Sequence, residues 1–208
     1  VELRDRVNQL SLDQDGVDGE SIYIYGEGWD FGSAKGKGLY HANQYNMAGT
    51  GIGTFKDKIR DLVHGGYSTN PQEIHRQGFI NGQSYDWNGY FYERRFRNNL
   101  QATSDKLRIS LAGSLQDYKI LDQNNNQKSG IELQGTGYTK DPQESINYIS
   151  KHDNETLFDL NMFKMPLGKS GTAVTSMNER VRAQNLGLSI VAFSQGIPFF
   201  QMGSDMLR

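Results

Sequence analysis

Apolar side chains recur along this chain with two different spacings. Val1, Leu3, Val7 and Leu10 stand at roughly helical intervals and predict a helix from the start to about Leu12. Asp13 to Gly19, with Asp15-Gly16 and Asp18-Gly19, reads as a polar turn. Ser21-Ile22-Tyr23-Ile24-Tyr25 is β-branched and aromatic, a strand signature, and it stops at Gly26-Glu27-Gly28-Trp29-Asp30-Phe31-Gly32. A Gly-rich polar stretch follows to about Gly53. Thr54 is placed to cap a helix carrying Phe55, Ile59, Leu62 and Val63, closed by Gly65-Gly66. A long loop with Asn-Gly turns at Asn81 and Asn88 leads to an amphipathic helix over about Phe96 to Ala112, and Asp122 to Gly130 reads as a polar, low-complexity loop. Ser145-Ile146-Asn147-Tyr148-Ile149-Ser150 predicts a second strand, ending at Lys151-His152-Asp153-Asn154. A helix over about Asn178 to Ser194 carries Val181, Leu186, Leu188, Ile190 and Val191, and Gly196 closes it. Ile197-Pro198-Phe199-Phe200 predicts a third strand, with Pro near its first position.

Strands alternating with helices imply a parallel β/α architecture. When such a fold closes into a barrel, its chemistry sits at the C-terminal ends of the strands. Two of the predicted strands run into acidic residues, Glu27 and Asp153. No internal repeat and no interdomain linker is visible, so the 208 residues read as one domain. Both ends are expected to be cuts: the chain opens on Val1 inside a helical pattern and stops soon after an apolar strand.

Composition narrows the classes. The formal net charge is −2 with Lys and Arg scattered, which argues against a nucleic-acid surface. The longest apolar run, Leu186 to Phe200, is broken by Gly, Ser, Gln and Pro, whereas a membrane helix wants about 20 mostly apolar residues. Cysteine is absent, which excludes disulfides and thiolate metal sites and leaves the compartment open. The 24 Gly, 11 Tyr, 10 Phe and 2 Trp, with many Asn, Gln and Asp, suit ring stacking and hydroxyl binding as well as loop packing.

Glu27 lies between two glycines whose backbone freedom can aim its carboxylate into a cleft. Trp29 beside it is expected to lower the local dielectric and raise the pKa of the acid. Taken alone, a Glu in a turn is more often a solvated side chain. His152-Asp153 directly after a strand can hydrogen-bond adjacent hydroxyls and supply negative charge, and taken alone it is also an ordinary surface turn. Asn154-Glu155-Thr156 fits a glycosylation sequon. Gly49-Thr50-Gly51-Ile52-Gly53 is neither a dinucleotide fingerprint nor a P-loop. His41, His64, His75 and His152 lack metal-ligand spacing, so no metal site is expected.

Taken together these segments are more specific than any one of them. Ile22-Tyr23-Ile24-Tyr25-Gly26-Glu27-Gly28-Trp29-Asp30-Phe31-Gly32 resembles the general-acid strand of pullulanases and limit dextrinases. Asn46-Met47-Ala48-Gly49-Thr50-Gly51-Ile52-Gly53-Thr54-Phe55 resembles the segment that follows it there. Asn147 to Asp159 resembles the strand bearing the third catalytic carboxylate, and Ser194-Gln195-Gly196-Ile197-Pro198-Phe199-Phe200 the last barrel strand. Order and spacing agree over essentially the whole chain. The resemblance is to the starch-debranching branch of the α-amylase superfamily, glycoside hydrolase family 13.

That resemblance implies an α/β fold: the second half, about strands five to eight, of a TIM-type (β/α)8 barrel, with strand six short near Gly51 to Thr54. It implies hydrolysis of α-1,6-glucosidic branch links in pullulan, limit dextrins or glycogen, with retention of configuration. Retention needs an acid and a nucleophile about 5–5.5 Å apart. Glu27 would be the acid/base and Asp153 the transition-state stabiliser. His152 and Asn154 would hold sugar hydroxyls, and Trp29 and Phe31 would line the cleft. The nucleophile would be an Asp upstream of Val1. The expected partners are a branched α-glucan and the missing N-terminal half of the barrel, with no nucleic acid and no membrane. No cofactor is expected; calcium occurs in the superfamily, but no ligand set is visible here. Secreted, cell-surface and plastid locations all fit. Ser33, Lys56 and Gln201 depart from the residues frequent in the family, at positions without a catalytic role. Two alternatives stay open: an isolated piece that at most binds glucan, and a branching transglycosylase using the same carboxylates.

Overall fold

The computed structural model describes residues 2–36, 41–71, 73–90, 96–167 and 174–208. The first residue of the predicted N-terminal helix, part of the Gly-rich stretch (37–40) and parts of the long loop (72 and 91–95) lie outside the described residues.

Four short strands lie side by side in parallel: β1 (Tyr25–Gly26), β2 (Gly53–Phe55), β5 (Ser145–Asn147) and β6 (Ile197–Pro198). Tyr25 pairs with Gly53, Thr54 with Ser145, and Ile146 with Ile197. Their order in space follows their order in the chain, so the sheet winds in one direction. Parallel neighbours need long crossovers. Helices α3 (Asp57–His64) and α4 (Phe96–Leu111) lie in the crossover from β2 to β5, and α5 (Leu157–Lys164) and α6 (Met177–Phe193) in that from β5 to β6. Before β1 come α1 (Glu2–Val7) and the four-residue α2 (Leu12–Asp15). The hairpin β3 (Lys119–Leu121) with β4 (Gln127–Ser129) projects between α4 and β5.

The central strands β2 and β5 are wholly buried, whereas β1 is exposed and β6 partly so. On one side Ile59, Val63, Ile80, Leu107, Ile149, Leu157 and Val191 form a core, each at most 4% exposed. On the other, Phe55, Ile146 and Tyr148 pack with Tyr23, Trp29, Ile197 and Phe199. Each fully buried Ile, Leu or Val contributes about 1.5–3 kcal/mol. The second cluster underlies the site described below.

Several expectations shift at their edges. The first helix ends at Val7, and a new one starts inside the predicted polar turn because the Ser11 hydroxyl accepts the Gln14 amide at 3.4 Å. The Ser21–Tyr25 strand pairs only from Tyr25. Gly19–Ser21 coils into a 3-10 turn capped by Asp18, and Arg4 Nη1 takes the Ile22 carbonyl at 2.8 Å. Thr54 is not a helix cap; it is buried in β2 and the helix begins at Asp57, ending on left-handed Gly65 as expected (φ 90°). The Asp122–Gly130 loop is half hairpin: the Asp122 carboxylate accepts the amides of Asn124 and Asn126 at 2.8 and 2.9 Å and closes the turn. Helix α5 was not expected. Its signal is Thr156, whose hydroxyl accepts the Asp159 amide at 3.3 Å. That hydroxyl is the third residue of the sequon, and here it serves as a helix cap.

Three lysines are buried, Lys56, Lys164 and, at the site described below, Lys151. Lys56 donates to Ser114 Oγ and, at 2.8 Å, to the Thr136 carbonyl; burial holds its pKa well below the ordinary lysine value. Lys164 is 1% exposed and donates to the Gly66 carbonyl; burial above all, with Arg76 and Arg60 nearby, outweighs the attraction of Asp61 and Glu155 and lowers its pKa to about 7. Between pH 7 and the ordinary lysine range the unfolded chain therefore binds more protons than the folded one, and stability rises with pH. Denaturant midpoints are expected to climb from pH 7 to pH 9.5, and Lys164→Met to remove its share of that rise, about 3 kcal/mol, while buried Lys56 keeps its own. An equally steep climb in Lys164→Met would contradict the assignment.

Candidate active site

Because the four strands are parallel, the residues that follow each of them emerge along one edge. Glu27 follows β1, Lys56 follows β2, the run from Tyr148 to Asn154 follows β5, and Phe199 to Gln201 follow β6. Two hydrogen bonds draw the last two segments together: the Phe199 amide donates to the Asn147 carbonyl at 2.8 Å, and Ser150 Oγ donates to Gln201 Oε1.

Glu27 and Asp153 meet here on a third residue, Lys151. Lys151 Nζ donates to Glu27 Oε1 at 2.7 Å and stands 4.0 Å from Asp153 Oδ2. The lysine side chain is 3% exposed, while those of Glu27 and Asp153 are 46% and 57% exposed. Its ammonium lies 5.3 Å from the centre of the Phe55 ring and 6.0 Å from those of Trp29 and Tyr148. Each ring face attracts a cation, by up to about 2 kcal/mol where water is excluded.

This differs from the expected setting of Glu27. Trp29 is half-buried and packs against the Phe55–Ile146–Tyr148 cluster, but its ring faces the ammonium. Glu27 meets a cation and solvent, not an apolar wall. The two flanking glycines also differ. Gly28 adopts φ +72°, and a Cβ there would fall 2.8 Å from Thr54 Cγ2. Gly26 has an ordinary strand conformation with open space where a Cβ would go. Only the second glycine is demanded by the turn.

The remaining candidates are exposed side chains on the same loops as Glu27 and Asp153. Phe31 is 62% exposed, and His152 and Asn154 are exposed on the loop that holds Asp153. Asn154 sits in the left-handed region at φ +67°, which turns the chain toward α5. Tyr67 donates to the Glu155 carbonyl at 3.0 Å and ties this loop to the one after α3. Residues that sequence reasoning passed over shape the Glu27 loop. His41 Nε2 lies 2.9 Å from the Trp29 carbonyl and 3.3 Å from Asp30 Oδ1. The Gln44 amide donates to the Gly28 carbonyl at 3.1 Å, and its side chain to the Phe55 carbonyl at 2.7 Å and Asp57 at 3.0 Å. Among the described residues no three His, Asp or Glu side chains converge on a metal-sized site, and no helix is long and apolar enough to cross a membrane.

No family model matches the chain. Similar proteins are nonetheless evident. The chloroplastic pullulanase 1 of Arabidopsis thaliana is 38% identical over all of this chain, which spans 22% of that protein. The pullulanase of Klebsiella pneumoniae is 36% identical over 90% of the chain, which spans 17% of it. Among solved structures, the Klebsiella pneumoniae pullulanase complexed with maltotriose superposes on 98% of the chain, with a TM-score of 0.81 at 33% identity, the match covering 18% of that structure. The apo pullulanase of Paenibacillus barengoltzii covers 99% of the chain with a TM-score of 0.62 at 28% identity, the match taking in 25% of its own chain. The chain thus spans about a fifth of the length of these relatives.

The loop geometry makes a contrast that denaturation can check. Gly28→Ala is expected to destabilise the protein by about 1–3 kcal/mol, through both the positive φ and the clash with Thr54. Gly26→Ala, with room for the methyl and an ordinary φ, is expected to change stability by less than about 1 kcal/mol. Equal losses in the two variants would contradict this reading of the turn.

Proposed function

We propose, from the premise that this chain is a pullulanase homologue over its whole length, that the protein carrying it hydrolyses α-1,6-glucosidic branch links in a branched α-glucan. The observation that carries the reading is the meeting of Glu27 and Asp153 on one ammonium, although Glu27 and Lys151 are 124 residues apart in the chain. Asp153 lies two residues from Lys151 in the chain, whereas Glu27 arrives from a separate strand.

The reading assigns roles as follows. Glu27 is the general acid that protonates the departing glycosidic oxygen and later the base that activates water. Asp153 supplies negative charge to the oxocarbenium-like transition state. The nucleophile is an Asp preceding Val1, so that configuration is retained. His152 and Asn154 reach sugar hydroxyls, and Trp29 and Phe31 offer ring faces to the glucose units. The maltotriose complexes of the Klebsiella relative support a malto-oligosaccharide as the bound chemistry.

Residues 1–208 make up, in this reading, the second half of a (β/α)8 barrel. Three features support it. The strands follow chain order, whereas a doubly wound sheet reverses direction at its switch point. Each strand leads into the same edge, where the candidate residues gather. Among the described residues the outer strands β1 and β6 each have one neighbour, beside exposed Tyr25, Phe200 and Met202, a surface suited to the remaining strands of the barrel.

The test is Glu27→Gln in the full-length protein. Release of linear maltodextrins from pullulan or limit dextrin is expected to fall by about 10²- to 10⁴-fold, the usual contribution of a general acid, in a protein that still folds, the amide oxygen accepting from Lys151 in place of the carboxylate. Undiminished release would sink the assignment. Formation of new branches without a gain in reducing ends would instead identify a transglycosylase using the same carboxylates.

A further inference from the structure

Lys151 belongs to none of the roles assigned above, yet it stands against both Glu27 and Asp153. Its ammonium is almost wholly enclosed, with Phe55, Trp29 and Tyr148 around it. An enclosed cation without a partner is costly by several kcal/mol. Glu27 is half-exposed and has water as an alternative. The lysine is therefore the fixed member of the pair, and the carboxylate is the member whose position is set. From this we infer that Lys151 is the positioning residue of the acid/base, holding Glu27 by one oxygen and keeping it beside Asp153. This rests on the reading of Glu27 as general acid.

The chemistry fits a fixed hold on a single oxygen. In the first half-reaction the nucleophile forms a bond to the anomeric carbon and the glycosidic C–O bond breaks. Its electron pair stays on the leaving oxygen, which takes the proton of Glu27. In the second half water adds to the anomeric carbon, the bond to the nucleophile breaks, and the proton from water goes to Glu27. The proton thus leaves and returns at Oε2 while Oε1 accepts from Lys151 throughout, since both a carboxylate and the carbonyl oxygen of a carboxyl group accept hydrogen bonds. Lys151 forms no covalent bond and transfers no proton. Rings on three elements hold the ammonium: Trp29 after β1, Phe55 in β2 and Tyr148 after β5. The Tyr148 hydroxyl is in turn held by Arg60 Nη1 at 2.8 Å.

A positioning role and a structural role separate on the leaving group. Branched glucan needs the proton of Glu27 to depart; fluoride leaves from an α-maltosyl fluoride with little help. In the full-length protein, Lys151→Met is expected to lower kcat on limit dextrin by about 10- to 100-fold, part of what a general acid contributes, with KM within about two-fold. Its first-turnover release of fluoride, which reports the first half-reaction alone, is expected to stay within about three-fold of the wild-type rate. Lys151→Arg keeps the charge, and so the folded site, but not the geometry; it is expected to show the same divergence to a smaller degree and provides the test if Lys151→Met does not fold. Glucan and fluoride rates falling together in the folded variants, or neither falling, would overturn the inference. Glu27→Gln distinguishes the two levels of the argument. If it loses glucan hydrolysis while Lys151→Met keeps it, the positioning role alone fails; if it keeps glucan hydrolysis, the reading of the acid fails as well.

Discussion

A cation enclosed among aromatic rings cannot retreat into water, and that constraint organises this site. Lys151 sits under Trp29, Phe55 and Tyr148 with 3% of its side chain exposed. Exposed ion pairs contribute about 0–1 kcal/mol and shift easily. This pair is different because one member is fixed by burial. Glu27 and Asp153, each about half exposed, gather around a charge that has no alternative partner in solvent.

The rest of the fold serves that arrangement. Parallel pairing of β1, β2 and β5 brings Trp29, Phe55 and Tyr148 within about 6 Å of one point, although they come from three separate stretches of chain. Burial of the Phe55–Ile146–Tyr148 cluster fixes those rings. On the opposite face the larger aliphatic core anchors α3, α5 and α6, and so sets where the loop from Lys151 to Thr156 enters α5. Gly28, positive in φ and pressed against Thr54, sets the turn that returns Glu27 toward β5.

Much of this was legible in the sequence, for definable reasons. Helix α4 shows a 3.6-residue pattern and α6 a long apolar run closed by Gly196, so their limits come out within a residue or two. The strands β1, β5 and β6 were found from pattern, β2 only through the resemblance, and the β3–β4 hairpin not at all. Paired lengths were missed because pairing depends on neighbours far along the chain: Ile22 has strand propensity, yet Arg4 occupies its carbonyl. Helix α5 was hidden because its apolar residues carry little helical asymmetry and its one local signal, Thr156, sat inside a sequon. Glu27 and Asp153 were singled out from their places after strands, and both lie beside Lys151. Lys151 was not, since a lysine between a serine and a histidine reads as surface charge. The available signal was its place at the end of the strand Ser145–Ser150, next to Ile149, where a charge has to find a partner.

The most direct measurement is a crystal structure of the full-length protein with bound maltotriose. The proposed site places a glucose ring between Trp29 and Phe31, with its anomeric carbon facing Glu27 Oε2 and Asp153, and Lys151 Nζ still within hydrogen-bond distance of Glu27 Oε1. Sugar bound away from this strand edge, or a Lys151 side chain that leaves Glu27 when sugar binds, would contradict it.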